Sequence, residues 1–178
     1  MRRLERHEAF GRRPPHQRTT AVTTRATMLE ALRRHTVPAL REQGFKGSMP
    51  HFHRSREDGG TDLLSVQFSG GGGRYTMEAS CVGANGENLL HAQMDISRAK
   101  LRASATKQRL RLGGTDEPGS KGDYWFVFDP ALNRREVDTT GEPDALALRT
   151  TELLRTQAEE WWRAFGAAHD THARDQES

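Results

Sequence analysis

Between Thr27 and Gln43 the apolar residues Met28, Leu29, Leu32, Val37 and Leu40 recur at near-helical spacing, and Gly44 stands where a left-handed cap ends a helix. Pro38 falls inside this pattern and is expected to kink it or to start a second turn after Thr36. The Gly44-Phe45 pair then turns the chain, with Phe45 predicted to enter the core. Beyond it the period changes to two, and three strands are predicted: Met49 to Arg56, Leu63 to Ser69, and RYTMEASCV from Arg74 to Val82. In the third, Tyr75, Met77, Ala79 and Cys81 oppose Thr76, Glu78 and Ser80. The three read as a half-buried meander, with the turns EDGGTD and SGGGGR between them.

Residues 84–108 are ambiguous at this level. LLHAQMDIS alternates through Leu90, Ala92, Met94 and Ile96 as a strand would, while RAKLRASATKQ fits helix or loop. Gln108 to Gly113 then alternates Arg109 and Arg111 with Leu110 and Leu112. The polar turn GTDEPGSKG leads from there to KGDYWFVF, Lys121 to Phe128, and the two strands are expected to form a hairpin. Pro143 suits a first helical turn. Leu146, Leu153, Leu154, Ala158, Trp161 and Phe165 follow on one side, with Gly166 as a cap. Adjacent helical residues differ by about 100°, so Trp161 is expected on the apolar stripe and Trp162 on its partly exposed flank.

KGDYWFVF has some likeness to an RNA-stacking RNP1 strand. Its third and fifth residues, however, are Asp123 and Trp125 rather than two aromatics. Tyr124, Phe126 and Phe128 leave one face and Trp125 and Val127 the other, the pattern of a strand covered on both sides. Its Asp123 and Trp125 end is the part expected to offer a contact surface.

Charge changes the picture more than composition does. The chain of 178 residues carries +3 with a pI near 9.4, which invites a nucleic-acid reading. Residues 1–25 hold seven arginines against two glutamates, so the remainder is slightly acidic, at −2. Arginine outnumbers lysine 23 to 4, a bias expected of a GC-rich coding sequence. Residues 1–24 are too polar to repay the entropy of ordering and are expected to be a disordered tail. Residues 25–168 are expected to form one domain and 169–178 a frayed tail. The single cysteine, Cys81, precludes an internal disulfide and suits a reducing cytoplasm. No apolar run reaches the roughly 18 residues of a membrane helix, so no membrane partner is expected.

Candidate chemistry is sparse. The glycine run 70–73 lies between strands and lacks the following helix of a phosphate loop. His51 and His53 share one strand face, as in two-histidine metal sites, with His35, Asp62 or His91 as conceivable third ligands; a polar strand face is favoured. No cofactor is implied. Cys81 falls on the apolar side of its strand and reads as a buried hydrophobe. The stretch from Arg98 to Arg111 carries six cations, Arg98, Lys100, Arg102, Lys107, Arg109 and Arg111, and no acid. With Asp123 and Trp125 these form the candidate contact surface.

Several short motifs resemble, in their order, the uncharacterised bacterial proteins grouped as domain of unknown function 4304. They are Leu40 with Gly44-Phe45, Phe52-His53-Arg54, Gln67-Phe68-Ser69, Arg111-Leu112-Gly113, and Asp123-Tyr124-Trp125-Phe126, where a second tryptophan is replaced by Phe126. The resemblance spans roughly residues 27–165. It implies an α+β domain and brings no activity, so it assigns no catalytic or binding residue.

The expected fold is therefore α+β: an antiparallel sheet of about five strands packed against an N-terminal and a C-terminal helix. The expected function is a cytoplasmic bacterial, non-enzymatic module that binds a protein or another ligand, of which an immunity-like or accessory role would be one form. Two alternatives stand beside it. One is a nucleic-acid-associated protein using the tail and the 98–111 surface, and the other an enzyme in whose pocket His51, His53, Gln67 and Asp123 converge.

Overall fold

The computed structural model describes residues 24–91, 97, 100–114, 124–132 and 139–165. The predicted tails apart from Thr24, the Gly166 cap and most of the GTDEPGSKG turn lie outside them. Helix α1, Arg25–Glu42, starts at Thr24, whose hydroxyl accepts from the Thr27 amide at 3.3 Å. It ends at Gly44, with φ of +83°. Pro38 does not interrupt it. The side chain sits on the exposed side, so the carbonyl that Pro38 cannot satisfy faces water rather than the core.

Seven strands follow among the described residues: β1 Lys46–Ser48, β2 His51–Ser55, β3 Thr61–Phe68, β4 Arg74–Val82, β5 Leu110–Arg111, β6 Phe126–Val127 and β7 Thr139–Thr140. They form one sheet in the order β1-β2-β3-β4-β6-β7, with β5 also on β4. All pairs are antiparallel except β6 with β7. Helix α2, Pro143–Leu153, runs on through a π turn, Leu154–Ala158, into a last helical stretch, 159–165. The α+β expectation holds. The strands that sequence did not separate are β1, divided from β2 by the Met49-Pro50 turn, and the two-residue β7.

Register fixes the two faces of the sheet. Gly47, Phe52, Leu64, Ala79 and Leu110 lie opposite one another across five strands. This inner face meets Met28, Leu32 and Leu40 of α1 and Leu146, Ala147, Leu154 and Trp162 of the C-terminal helix. Tyr75 donates from its hydroxyl to the Leu146 carbonyl at 3.3 Å and pairs with the Thr150 hydroxyl at 2.6 Å. Between the helices, Thr151 donates to Thr36 at 3.1 Å, and Thr36 donates to the Ala147 carbonyl at 3.2 Å.

The meander is not half-buried as predicted, because the chain after β4 returns over the outer face. Leu89 and Leu101 pack on Leu63 and Val82 to make a second, smaller core. Asn88, with φ of +71°, anchors that cover: its amide nitrogen donates to the carbonyls of Cys81 at 2.8 Å and Gln108 at 3.1 Å, and its oxygen accepts from the Gln108 amide at 2.8 Å. Ser65 accepts from the Ala103 amide at 3.2 Å, and the Ser80 and Thr106 hydroxyls lie 2.5 Å apart. Of the strand suggested by LLHAQMDIS, the described residues show one bridge, Leu89 with Thr106, and residues 92–96 lie outside the described set.

The expected hairpin between Gln108–Gly113 and KGDYWFVF is overturned. Both segments pair with β4 along its free side, β5 at Glu78 and Ala79 and β6 at Arg74 and Tyr75. They are two pieces of one interrupted strand, and the Leu112 amide continues the ladder to the Met77 carbonyl at 3.0 Å. Gly113, with φ of +84°, starts the excursion, and any side chain there would strike the Tyr124 ring where the chain returns. Gln157 holds this departure point from both ends of its amide, accepting from the Gly113 amide at 2.8 Å and donating to the Gly114 carbonyl at 2.9 Å. The described part of KGDYWFVF is covered, as its pattern implies: Phe126 and Phe128 face the inner core, and Val127 is buried on the other side.

The assignment of the two tryptophans is reversed. Trp162 is 2% exposed and donates from Nε1 to the Ser80 carbonyl at 2.8 Å, whereas Trp161 is half-buried and stacks on Phe165. The π turn is the cause. It accommodates one extra residue, so every later position is rotated by about 100° and the inward stripe passes from Trp161 to Trp162. Trp162→Phe should cost about 1–3 kcal/mol in urea unfolding by leaving the Ser80 carbonyl unpaired. Trp161→Phe should stay within about 0.5 kcal/mol.

Candidate binding face and buried ion pairs

The candidate contact residues divide into two groups on the outer side of the sheet, and Arg98 and Asp123 lie outside the described residues. The first group surrounds Glu78, whose carboxylate takes Arg111 at 2.8 Å and Arg109 at 3.8 Å. Arg111 and Arg74 both lie over the Trp125 ring, 5.6 and 4.7 Å from its centroid. These distances fall within cation–π range. Arg109, Arg111 and Trp125 thus come together as one mutually satisfied cluster in which Glu78 removes part of the positive charge.

The second group lies in the segment that covers the outer face. A short 3₁₀ turn, Ala103–Ala105, leaves Lys100, Arg102 and Lys107 exposed around it. A recess of about 360 Å³ opens here, lined by Leu90, His91, Lys100, Leu101, Arg102, Ser104 and Ala105. Among the described residues Leu90 is one of two large apolar side chains that stand out as exposed, at 48%. Neither Leu90 nor His91, the latter weighed only as a metal ligand, was among the candidate contact residues, because their approach to residues 100–105 depends on the Leu89–Thr106 bridge.

A different cluster carries most of the buried charge. Arg54 shares the inner strand face with Phe52 and lies directly opposite Asp62 in β3. It grips the Asp62 carboxylate through Nε at 2.9 Å and Nη2 at 2.7 Å, and it reaches Glu159 of the last helical stretch through Nη1 at 2.6 Å. Its guanidinium also lies over Phe45 and Trp162, at 4.7 and 5.1 Å. Asp62 is 1% exposed, and burial pushes its carboxyl above the ordinary range despite the opposing pull of Arg54 and Arg56. A second cleft of about 360 Å³ beside it is lined by Arg54, Arg56 and Arg163 against Glu57, Asp62 and Glu159, an equal number of each sign. Sequence gave one signal for this cluster, a charged residue on the apolar side of β2, but not its partners.

His51, His53 and Gln67 occupy the outer face, yet neither cleft includes them, and Asp123 is not described. His51 Nδ1 lies 3.1 Å from the Ser65 hydroxyl, and burial, reinforced by Arg102, lowers its pKa. His35 pairs with Asp144 at 3.0 Å on the helical side. Among the described residues no group of three or more His, Cys, Asp or Glu is placed to hold a metal ion. Cys81 is buried on the inner face, and desolvation pushes its thiol up to about 12 against the pull of Arg56. The described glycines 70–73 form the tip between β3 and β4, with no helix behind them. No helix among the described residues is long and apolar enough to cross a membrane.

Such a protein is an α+β domain with a helix-covered sheet face, an outer face closed by a returning segment, and cations gathered on that segment. The chain belongs to the family described as domain of unknown function (DUF4304), whose model matches residues 36–164. No curated protein and no solved structure matches the chain.

Removing one member of the buried ion pair leaves the other unpaired in the core. Arg54→Met should therefore cost about 3–5 kcal/mol, and Arg54→Met with Asp62→Leu should recover most of that loss in urea unfolding. For Cys81, the native thiol should react with Ellman's reagent at pH 8 far more slowly than the urea-unfolded chain. Because its folded pKa lies above the ordinary 9.0, its contribution to stability is present below about pH 9 and fades as pH rises toward about 12.

Proposed function

We propose that the domain is a non-enzymatic binding module that engages another protein through the cationic outer side of its sheet. One contrast carries this reading. On the helical layer three ion pairs join charges of opposite sign, Arg34–Asp144 and Arg155–Glu42 at 3.3 Å and Arg149–Glu152 at 2.6 Å. Lys100, Arg102 and Lys107, by contrast, are exposed without a side-chain ion pair among the described residues. Unneutralised cations beside an exposed aliphatic residue suit a partner surface that is acidic and partly apolar. Trp125 supports a protein partner over a nucleic acid, since its ring is already engaged by Arg74 and Arg111 rather than presented for base stacking. The lone, buried cysteine is compatible with action in the cytoplasm.

A photo-cross-linking residue in place of Lys107 in the full chain tests the reading in the producing cells. Discrete polypeptide adducts are expected at position 107 and not at Leu148, the exposed residue of α2 on the helical side. Nucleic-acid adducts at 107, or polypeptide adducts equal at both positions, would overturn it.

A further inference from the structure

We infer that the recess formed by Leu90, Leu101 and Ala105 and rimmed by His91, Lys100 and Arg102 receives an acidic peptide segment of the partner, with one bulky apolar side chain inserted. This deepens the proposed function and rests on it.

Three features of the recess support the inference. First, its walls are held by hydrogen bonds to backbone carbonyls. The Leu90 amide donates to the Ala105 carbonyl at 2.9 Å, and the Lys107 amide donates to the Asn88 carbonyl at 2.8 Å. The Thr106 hydroxyl donates to the Ala103 carbonyl at 2.7 Å, closing the turn between them. Such a recess exists before the ligand arrives, which lowers the ordering cost of binding.

Second, the floor is aliphatic. Leu101 belongs to the outer core with Leu63, Val82 and Leu89, so an inserted apolar side chain would extend that core. A volume of about 360 Å³ accommodates one large side chain with its flanking backbone. Nucleobases are held by stacking on aromatic rings, and the described lining has no Phe, Tyr or Trp.

Third, the rim has one sign. Lys100 and Arg102 border the opening with His91, and no acidic side chain is among the described lining residues. The other cleft, at Arg54, carries both signs in equal number and selects neither. Charge at the rim governs encounter and orientation, while the buried side chain supplies discrimination.

The test uses the full-length protein and three fluorescein-labelled probes in anisotropy titrations. These are a peptide of glutamates with one central leucine, the same length of polyglutamate, and oligothymidylate. The leucine peptide is expected to bind about tenfold more tightly than polyglutamate, as burial of one leucine requires. Leu90→Asp, at an exposed position, should erase that tenfold difference while the circular dichroism spectrum is unchanged. Lys100→Glu with Arg102→Glu should weaken both peptides. Equal affinity for the two peptides, or no measurable binding at millimolar concentration, overturns the recess inference and leaves the broader reading to the cross-links at position 107. Oligothymidylate that outcompetes the leucine peptide overturns both.

Discussion

The Arg54 guanidinium is the interaction on which the packing of this fold depends. It leaves β2 on the core side, where Phe52 is its neighbour on the same face, and there it must satisfy a carboxylate that has almost no access to water. Holding Asp62 through two nitrogens fixes β2 against β3 in one register, since a slip by one residue would leave a buried charge on each strand. The same guanidinium reaches Glu159, so the last helical stretch is bound to the sheet at that register. Its faces lie against Phe45 and Trp162, which brings the end of α1 and the 159–165 helical stretch to one point.

The π turn and the ion pair act together. Without the extra residue between Leu154 and Ala158, Trp162 would not point at Ser80, and Glu159 would not face Arg54. The turn also carries Gln157, whose amide holds Gly113 and Gly114 where β5 breaks off. One local irregularity in a helix thus sets three contacts with the sheet, which is why its cost is tolerated.

The outer side follows from what the inner side uses. With the helices committed to one face, the described residues 88–91 and 100–106 cover part of the other, fastened by Asn88, Ser65, Ser80 and Thr106 rather than by a large apolar area. Little apolar surface is needed to hold a cover that is so well hydrogen-bonded. The cations of that cover are left toward solvent, where they are available to a partner.

The amino-acid sequence by itself determined the two helices, the three long strands, the glycine that ends α1, the burial of Phe45 and Cys81, and the covered nature of KGDYWFVF. All of these depend on local periodicity and on residues within a few positions of one another. It also determined family membership through the order of its short motifs. Only the tertiary structure decided that β5 and β6 share one edge of β4, that Trp162 and not Trp161 enters the core, that Arg54 lies at the centre of a buried charge cluster, and that Leu90 and His91 complete a recess with Lys100 and Arg102. Each of those depends on partners far apart in the chain or on a one-residue change of helical phase. A pattern of hydrophobic and polar positions carries no information about which distant backbone will present the matching hydrogen bond.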